Sequence, residues 1–140
     1  MSTIRLSLHL PTSDVSRTVD FYVSLGFSLV GEIAVWEGTQ VFALLKLGNQ
    51  LLRVELWTFP DWEPMRQGFA ATTLWIETGS LDAVANHLRA IGIPFEGPDT
   101  EAHGSIEIEL FDPEGFRIIY QQSDVQSHLP PGQVTAERLR

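Results

Sequence analysis

The chain has 140 residues, 44% of them hydrophobic and 19% charged, with 9 basic against 18 acidic side chains and a formal net charge of -9. That length fits one compact domain able to bury a core of its own, and zero cysteines exclude disulfides, zinc–thiolate sites, iron–sulfur ligation and thiol nucleophiles. The negative charge opposes nucleic acid as a partner, nothing at the N-terminus reads as a signal peptide, and no run approaches the roughly 20 apolar residues that cross a bilayer, so a cytoplasmic protein without a membrane partner is expected.

Residues 4–10 alternate, with Leu6, Leu8 and Leu10 on one side and Arg5, Ser7 and His9 on the other. This predicts a half-buried strand, its leucines packed on helices, which Pro11 ends. Ser13 is the expected helix cap, with Asp14 in the first turn where its charge suits the helix dipole. Val15, Val19, Tyr22 and Val23 then form an apolar stripe, and Gly26 is the stop. Strands are expected over 27–36, 39–47 and 51–58, the last two joined by a turn at Gly48-Asn49. Residues 59–71 read as a linker, since Phe59-Pro60-Asp61-Trp62-Glu63-Pro64 carries two prolines and no period.

The same order then recurs. A strand is expected over 72–78, followed by a helix capped by Ser80 with Leu81, Val84, Leu88 and Ile91 on one face. Gly92 stops that helix and Pro94 prevents its continuation. A short strand near Phe95 follows, then a strand over 105–111 with Glu107 and Glu109 on a solvated face, a turn at Asp112-Pro113-Glu114-Gly115, and a last strand over 116–122. The tail, 123–140, carries Pro130-Pro131-Gly132; it is either disordered or laid on a partner subunit. The caps Ser13 and Ser80 are 67 residues apart, the stops Gly26 and Gly92 are 66 apart, and the turns Gly48 and Gly115 are 67 apart. Three unrelated features whose offsets agree within one residue indicate a duplicated βαβββ unit. The fold class is therefore α+β, with module one at about 4–58 and module two at 72–122 of a single domain spanning 1–122.

Asp14-Val15-Ser16-Arg17-Thr18-Val19-Asp20-Phe21-Tyr22, followed by Leu25-Gly26-Phe27, resembles the first-helix signature of the vicinal oxygen chelate superfamily. Asp112-Pro113-Glu114-Gly115 before an apolar strand is similar to its second signature. The resemblance implies the glyoxalase/bleomycin-resistance fold, two tandem modules forming a cup-shaped mixed sheet around a small molecule, commonly in a homodimer. It also implies where metal-dependent members place their ligands, on the first and last strands of each module. Those positions fall here on Ser7, Glu55, Thr73 and Ile119. One carboxylate, two hydroxyls and an isoleucine make a poor donor set, so no metal or other cofactor is expected. A divalent ion would require an atypical site built on His9 and Glu55, because His87, His103 and His128 show no ligand spacing.

If the leucine side of the first strand packs on helices, the other side lines the cup. The same parity adds Arg53, Glu55 and Trp57, then Thr73, Trp75 and Glu77, then Arg117, Ile119 and Gln121, to Arg5, Ser7 and His9. So many charges on one face point to a wet cavity or to a paired network, with Arg53–Glu55 or Arg117–Glu77 as the expected cross-strand pairs. Trp57, Trp75 and also Trp62 are available to stack on a planar or cationic ligand, or to pack in a core or a dimer interface. Segments 60–68 and 98–104 are the loops expected to shape the pocket.

Three functions compete. The resemblance to the metal-free bleomycin-resistance members implies a binding protein that sequesters a cationic or aromatic compound. The second is a metal-dependent lyase, isomerase or dioxygenase. The third is metal-free acid–base catalysis, with Glu55 or Glu77 as the base near His9.

Overall fold

This computed structural model describes residues 3–58, 60–100 and 104–123. The first half runs β1 (Ser7–Thr12), α1 (Val15–Ser24), β2 (Ser28–Leu29), β3 (Ala34–Trp36), β4 (Thr39–Leu47) and β5 (Gln50–Leu56). Then come α2 (Trp62–Arg66) and a 3-10 turn (Phe69–Ala71), followed by β6 (Thr73–Glu77), α3 (Leu81–Ile91), β7 (Glu96–Thr100), β8 (Ser105–Phe111) and β9 (Arg117–Ser123). One sheet has the order β1-β5-β4-β2 with β3 also on β4, and the other has β6-β9-β8-β7. Apart from the extra strand β3, the two orders correspond, as a duplicated α+β unit requires.

In the first sheet Ala43, Leu45, Leu52 and Val54 are buried, whereas Lys46, Arg53 and Glu55 between them are exposed. The strand period of two sorts these residues onto opposite faces. Helix α1 packs on β4 and β5 and covers the buried side with Val15, Thr18, Val19 and Tyr22. Tyr22 extends this core edge-on to Phe27, their ring centroids 5.3 Å apart. In the second sheet Ile108, Leu110, Ile118 and Tyr120 are buried, as are Leu81, Ala85 and Leu88 of α3.

Several expectations are corrected. β1 starts at Ser7 and runs through Pro11 to Thr12. It is the edge strand of its sheet, where a residue without an N–H is tolerated. Leu6 lies before it and is 89% exposed, and Leu8 is also exposed, because α1 lies over β4 and β5 and not over the start of β1. The cap of α1 is Asp14, whose carboxylate accepts from Arg17 N at 3.1 Å; Ser13 is turned elsewhere. Ser80 caps α3 as expected, accepting from Ala83 N at 3.2 Å, so the true caps are 66 residues apart like the helix stops. Val23 and Ile91 are exposed, and Thr18 and Ala85 take their places on the buried stripes. The expected strand 27–36 is interrupted between β2 and β3, the segment 59–71 contains α2 and the 3-10 turn, and Pro98 lies within β7. The expectations for His103, His128 and the 124–140 part of the tail fall outside the described residues.

Two compact units divide the chain: Met1–Thr72 with Phe111–Arg117, and Thr73–Leu110 with Ile118–Arg140. The Asp112–Gly115 turn thus belongs to the first unit, and its carboxylates explain why. Asp112 Oδ1 accepts from Glu114 N and Phe116 N, each at 2.9 Å, which closes the turn, while Oδ2 accepts from Tyr22 Oη at 2.7 Å. Glu114, only 3% exposed, accepts through Oε1 from Ser13 N at 3.2 Å, Ser13 Oγ at 2.7 Å and Thr12 Oγ1 at 3.1 Å. Its Oε2 lies 3.7 Å from Arg66 Nε. Arg17 donates to Pro113 O at 2.7 Å, and Phe116 stacks on Phe69 with centroids 4.1 Å apart. Both motifs that carry the family resemblance therefore meet in one structural knot at the start of α1.

Candidate functional site

The exposed face of the first sheet follows from two strand registers. β5 pairs with β1 so that Ser7 lies opposite Leu51, His9 opposite Arg53 and Pro11 opposite Glu55. It pairs with β4 so that Lys46 lies opposite Leu51, Leu44 opposite Arg53 and Phe42 opposite Glu55. Nine side chains thus form three rows: Ser7, Leu51, Lys46; His9, Arg53, Leu44; Pro11, Glu55, Phe42. All point away from the face that α1 covers; His9, Arg53, Glu55 and Lys46 are exposed, while Pro11 is buried.

Two diagonal contacts organise this face. His9 Nε2 lies 3.1 Å from Glu55 Oε2, with side chains 43% and 53% exposed. The Arg53 guanidinium carbon sits 4.9 Å from the centre of the Phe42 ring, within cation–π range. The expected Arg53–Glu55 pair is not what forms: Glu55 reaches across to β1 and Arg53 across to β4. Beyond β5, Trp57 Nε1 donates to Asp61 Oδ1 at 3.2 Å, which anchors the indole. Trp62 packs edge-on to Phe69 at 5.6 Å and so joins the structural aromatic cluster.

At the Ser7–Lys46 end the face opens into a cavity of about 650 Å³, lined by Ile4, Arg5, Leu6, Val30, Leu44, Lys46, Asn49, Gln50 and Leu51. Such a volume lies within the range of small-molecule sites. Of the residues expected from sequence, Arg5 lines this cavity, and Ser7, His9, Arg53 and Glu55 lie on the same face. Phe42, Leu44 and Lys46 share that face without a signal in the sequence. Their strand carries apolar residues at both parities, so alternation could not tell its two faces apart, and only the pairing with β5 does so.

Thr73, Trp75 and Glu77 share one face of β6 in the second unit, and Trp75 Nε1 donates to Gln121 Oε1 of β9 at 2.8 Å. Trp75 and Glu77 are exposed and Arg117 is half-buried, but Ile119 is only 1% exposed and offers little surface to a ligand. As metal donors, Ser7 and Thr73 supply hydroxyls, Ile119 a buried hydrocarbon, and Glu55 a carboxylate already engaged by His9. Such a set does not fit a divalent cation. Among the described residues no group of three or more His, Cys, Asp or Glu is gathered in ligand geometry, and no helix is long and apolar enough to cross a membrane.

The profile of the Glyoxalase/Bleomycin resistance protein/Dioxygenase superfamily matches residues 5–120. No curated protein matches the chain by sequence. Among solved structures, TnmS3, an antibiotic-binding protein from Streptomyces sp. CB03234, is 25% identical with a TM-score of 0.66, the match covering 89% of this chain and 99% of that one. A bleomycin-binding protein complexed with bleomycin is 21% identical with a TM-score of 0.65, covering 87% of this chain and all of the other. Lactoylglutathione lyase from Agrobacterium tumefaciens is 14% identical with a TM-score of 0.64, over 93% of this chain and 100% of that one.

Proposed function

This chain belongs to the glyoxalase/bleomycin resistance protein/dioxygenase superfamily, and from that premise we propose that it is a metal-independent binding protein that sequesters an aromatic small molecule on the uncovered face of its first sheet. The observation that carries this reading is the 650 Å³ cavity continuous with the face bearing His9, Arg53, Glu55 and Phe42. Leu44 and Leu51 offer apolar contact, Phe42 a ring already capped by Arg53, and Trp57 an indole at the far end. The antibiotic-binding neighbour at 25% identity supports the same reading. Exposed Val35 and Trp36 favour assembly as a homodimer.

Titrating the full chain with a panel of aromatic antibiotics and naphthyl compounds, followed by tryptophan fluorescence and melting temperature, tests this. Saturable binding, weakened roughly tenfold by Phe42→Ala as the loss of one aromatic contact implies, is expected. A panel that produces neither a fluorescence change nor a thermal shift overturns it.

One observation favours catalysis instead: the His9–Glu55 pair at 3.1 Å is the arrangement of an oriented base. Both side chains are about half exposed, however, and water competes for such groups. Binding is the reading that this geometry serves better.

A further inference from the structure

Within the proposed binding face, the cavity end is chemically unlike the rest. It presents two cations, Arg5 and Lys46, two amides, Asn49 and Gln50, and the apolar Val30, Leu44 and Leu51, with Ile4 and Leu6 exposed at its rim and no carboxylate among the described lining residues. Lys46 stands in the same row as Ser7, through their common partner Leu51, and Arg5 lies two residues before Ser7. Both cations are exposed, and neither forms an ion pair among the described residues. The acid of this face, Glu55, lies at the opposite end and is held by His9.

From this we infer that the cavity takes the anionic group of an amphipathic aromatic acid, Arg5 and Lys46 clamping a carboxylate while Leu44, Leu51 and Val30 cover the hydrocarbon adjoining it. The inference rests on the reading of this face as a small-molecule site and names the class of ligand. It departs from a cationic ligand, which would meet two like charges in the cavity and find Glu55 already paired.

The net charge of -9 does not oppose this. Charges further away than about 8 Å are largely screened at physiological salt, so a carboxylate inside the cavity responds to the two cations that line it. Guanidinium and ammonium groups also differ usefully: the planar fork of Arg5 suits two carboxylate oxygens, and Lys46 adds a rotatable point charge.

The test is a matched set of ligands on full-length protein: phenyl, naphthyl and anthracenyl compounds, each as carboxylate, carboxamide and methylammonium, titrated by calorimetry at low and physiological salt. For the best-fitting ring system the carboxylate should bind roughly tenfold to a hundredfold more tightly than its carboxamide, the range that hydrogen bonds to charged groups supply. The methylammonium form should be the weakest. In the Arg5→Gln/Lys46→Gln double variant, whose changes are confined to exposed side chains, carboxylate and carboxamide should bind alike. The native preference should also shrink as salt is raised. Carboxamide or methylammonium binding as well as the carboxylate, or a carboxylate preference that survives in the double variant, overturns the inference and leaves the binding face standing. Failure of all nine compounds to bind overturns both.

Discussion

Glu114 shows how much one buried carboxylate organises. Three donors from Thr12 and Ser13 converge on its Oε1, and Arg66 approaches the other oxygen. Removing the carboxylate takes from Ser13 and Thr12 the acceptor they share, a cost eased because Ser13 is exposed and Thr12 Oγ1 also lies 3.0 Å from Asp14 O. Glu114→Ala should lose about 2 kcal/mol in urea unfolding, and Glu114→Gln, which keeps an acceptor, about 1 kcal/mol. Equal losses for the two variants would show that the amide cannot replace the carboxylate. Asp112 makes a separate prediction through its titration. Burial raises its pKa above the ordinary 3.8, although the bonds from Tyr22 and from the Phe116, Glu114 and Gly115 backbone partly offset this. The folded chain therefore holds this proton to higher pH than the unfolded chain does. Its contribution is fully present below 3.8 and is lost as pH rises through the folded-state value. Melting temperature measured from pH 3 upward should carry that falling component in the native protein, and Asp112→Asn should remove it.

At the scale of elements, the two helices are duplicates that begin differently. Each is capped by a short polar side chain, Asp14 or Ser80, bonded to the backbone N–H three residues on. α1 is additionally held by Ser13 and Arg17 through the Glu114 turn, whereas the first turn of α3 gains a bond from Leu81 N to Gln122 Oε1 at 2.8 Å. Asp14→Ala and Ser80→Ala should each cost about 1 kcal/mol of stability, checked by denaturant unfolding of both variants. A cost near zero at Asp14 would mean that the Glu114 knot alone holds the start of α1. Sheet elements teach a complementary lesson. β1 tolerates Pro11 because it is an edge strand, and β5, between β1 and β4, collects the diagonal contacts from both sides.

For the whole molecule, the proposal of metal independence has a direct consequence. Protein purified without chelator should carry well under one divalent ion per chain, and added manganese, iron(II), zinc or nickel should leave its melting temperature unchanged, since a bound metal stabilises by mass action. Stoichiometric metal together with an upward shift would redirect attention to His9 and Glu55, whose 3.1 Å approach is then the obvious nucleus of a site.

The duplicated α+β plan is legible in the sequence, because helix stops, hairpin turns and apolar periods are local properties that each segment expresses without reference to the rest. The sequence also put Ser7, His9, Arg53 and Glu55 on one face of the sheet, since alternation is inherited directly from the backbone period. Tertiary structure alone decided three further things. It turned the Asp112–Gly115 motif into a scaffold for α1, through hydrogen bonds between residues about a hundred positions apart. It replaced the expected Arg53–Glu55 pair by His9–Glu55 and Arg53–Phe42, because a strand's strongest partners lie on its neighbours and the sheet order says which those are. It also brought Arg5 and Lys46 into one cavity across three strands. Chain spacing cannot encode that proximity, because it exists only once β5 lies between β1 and β4.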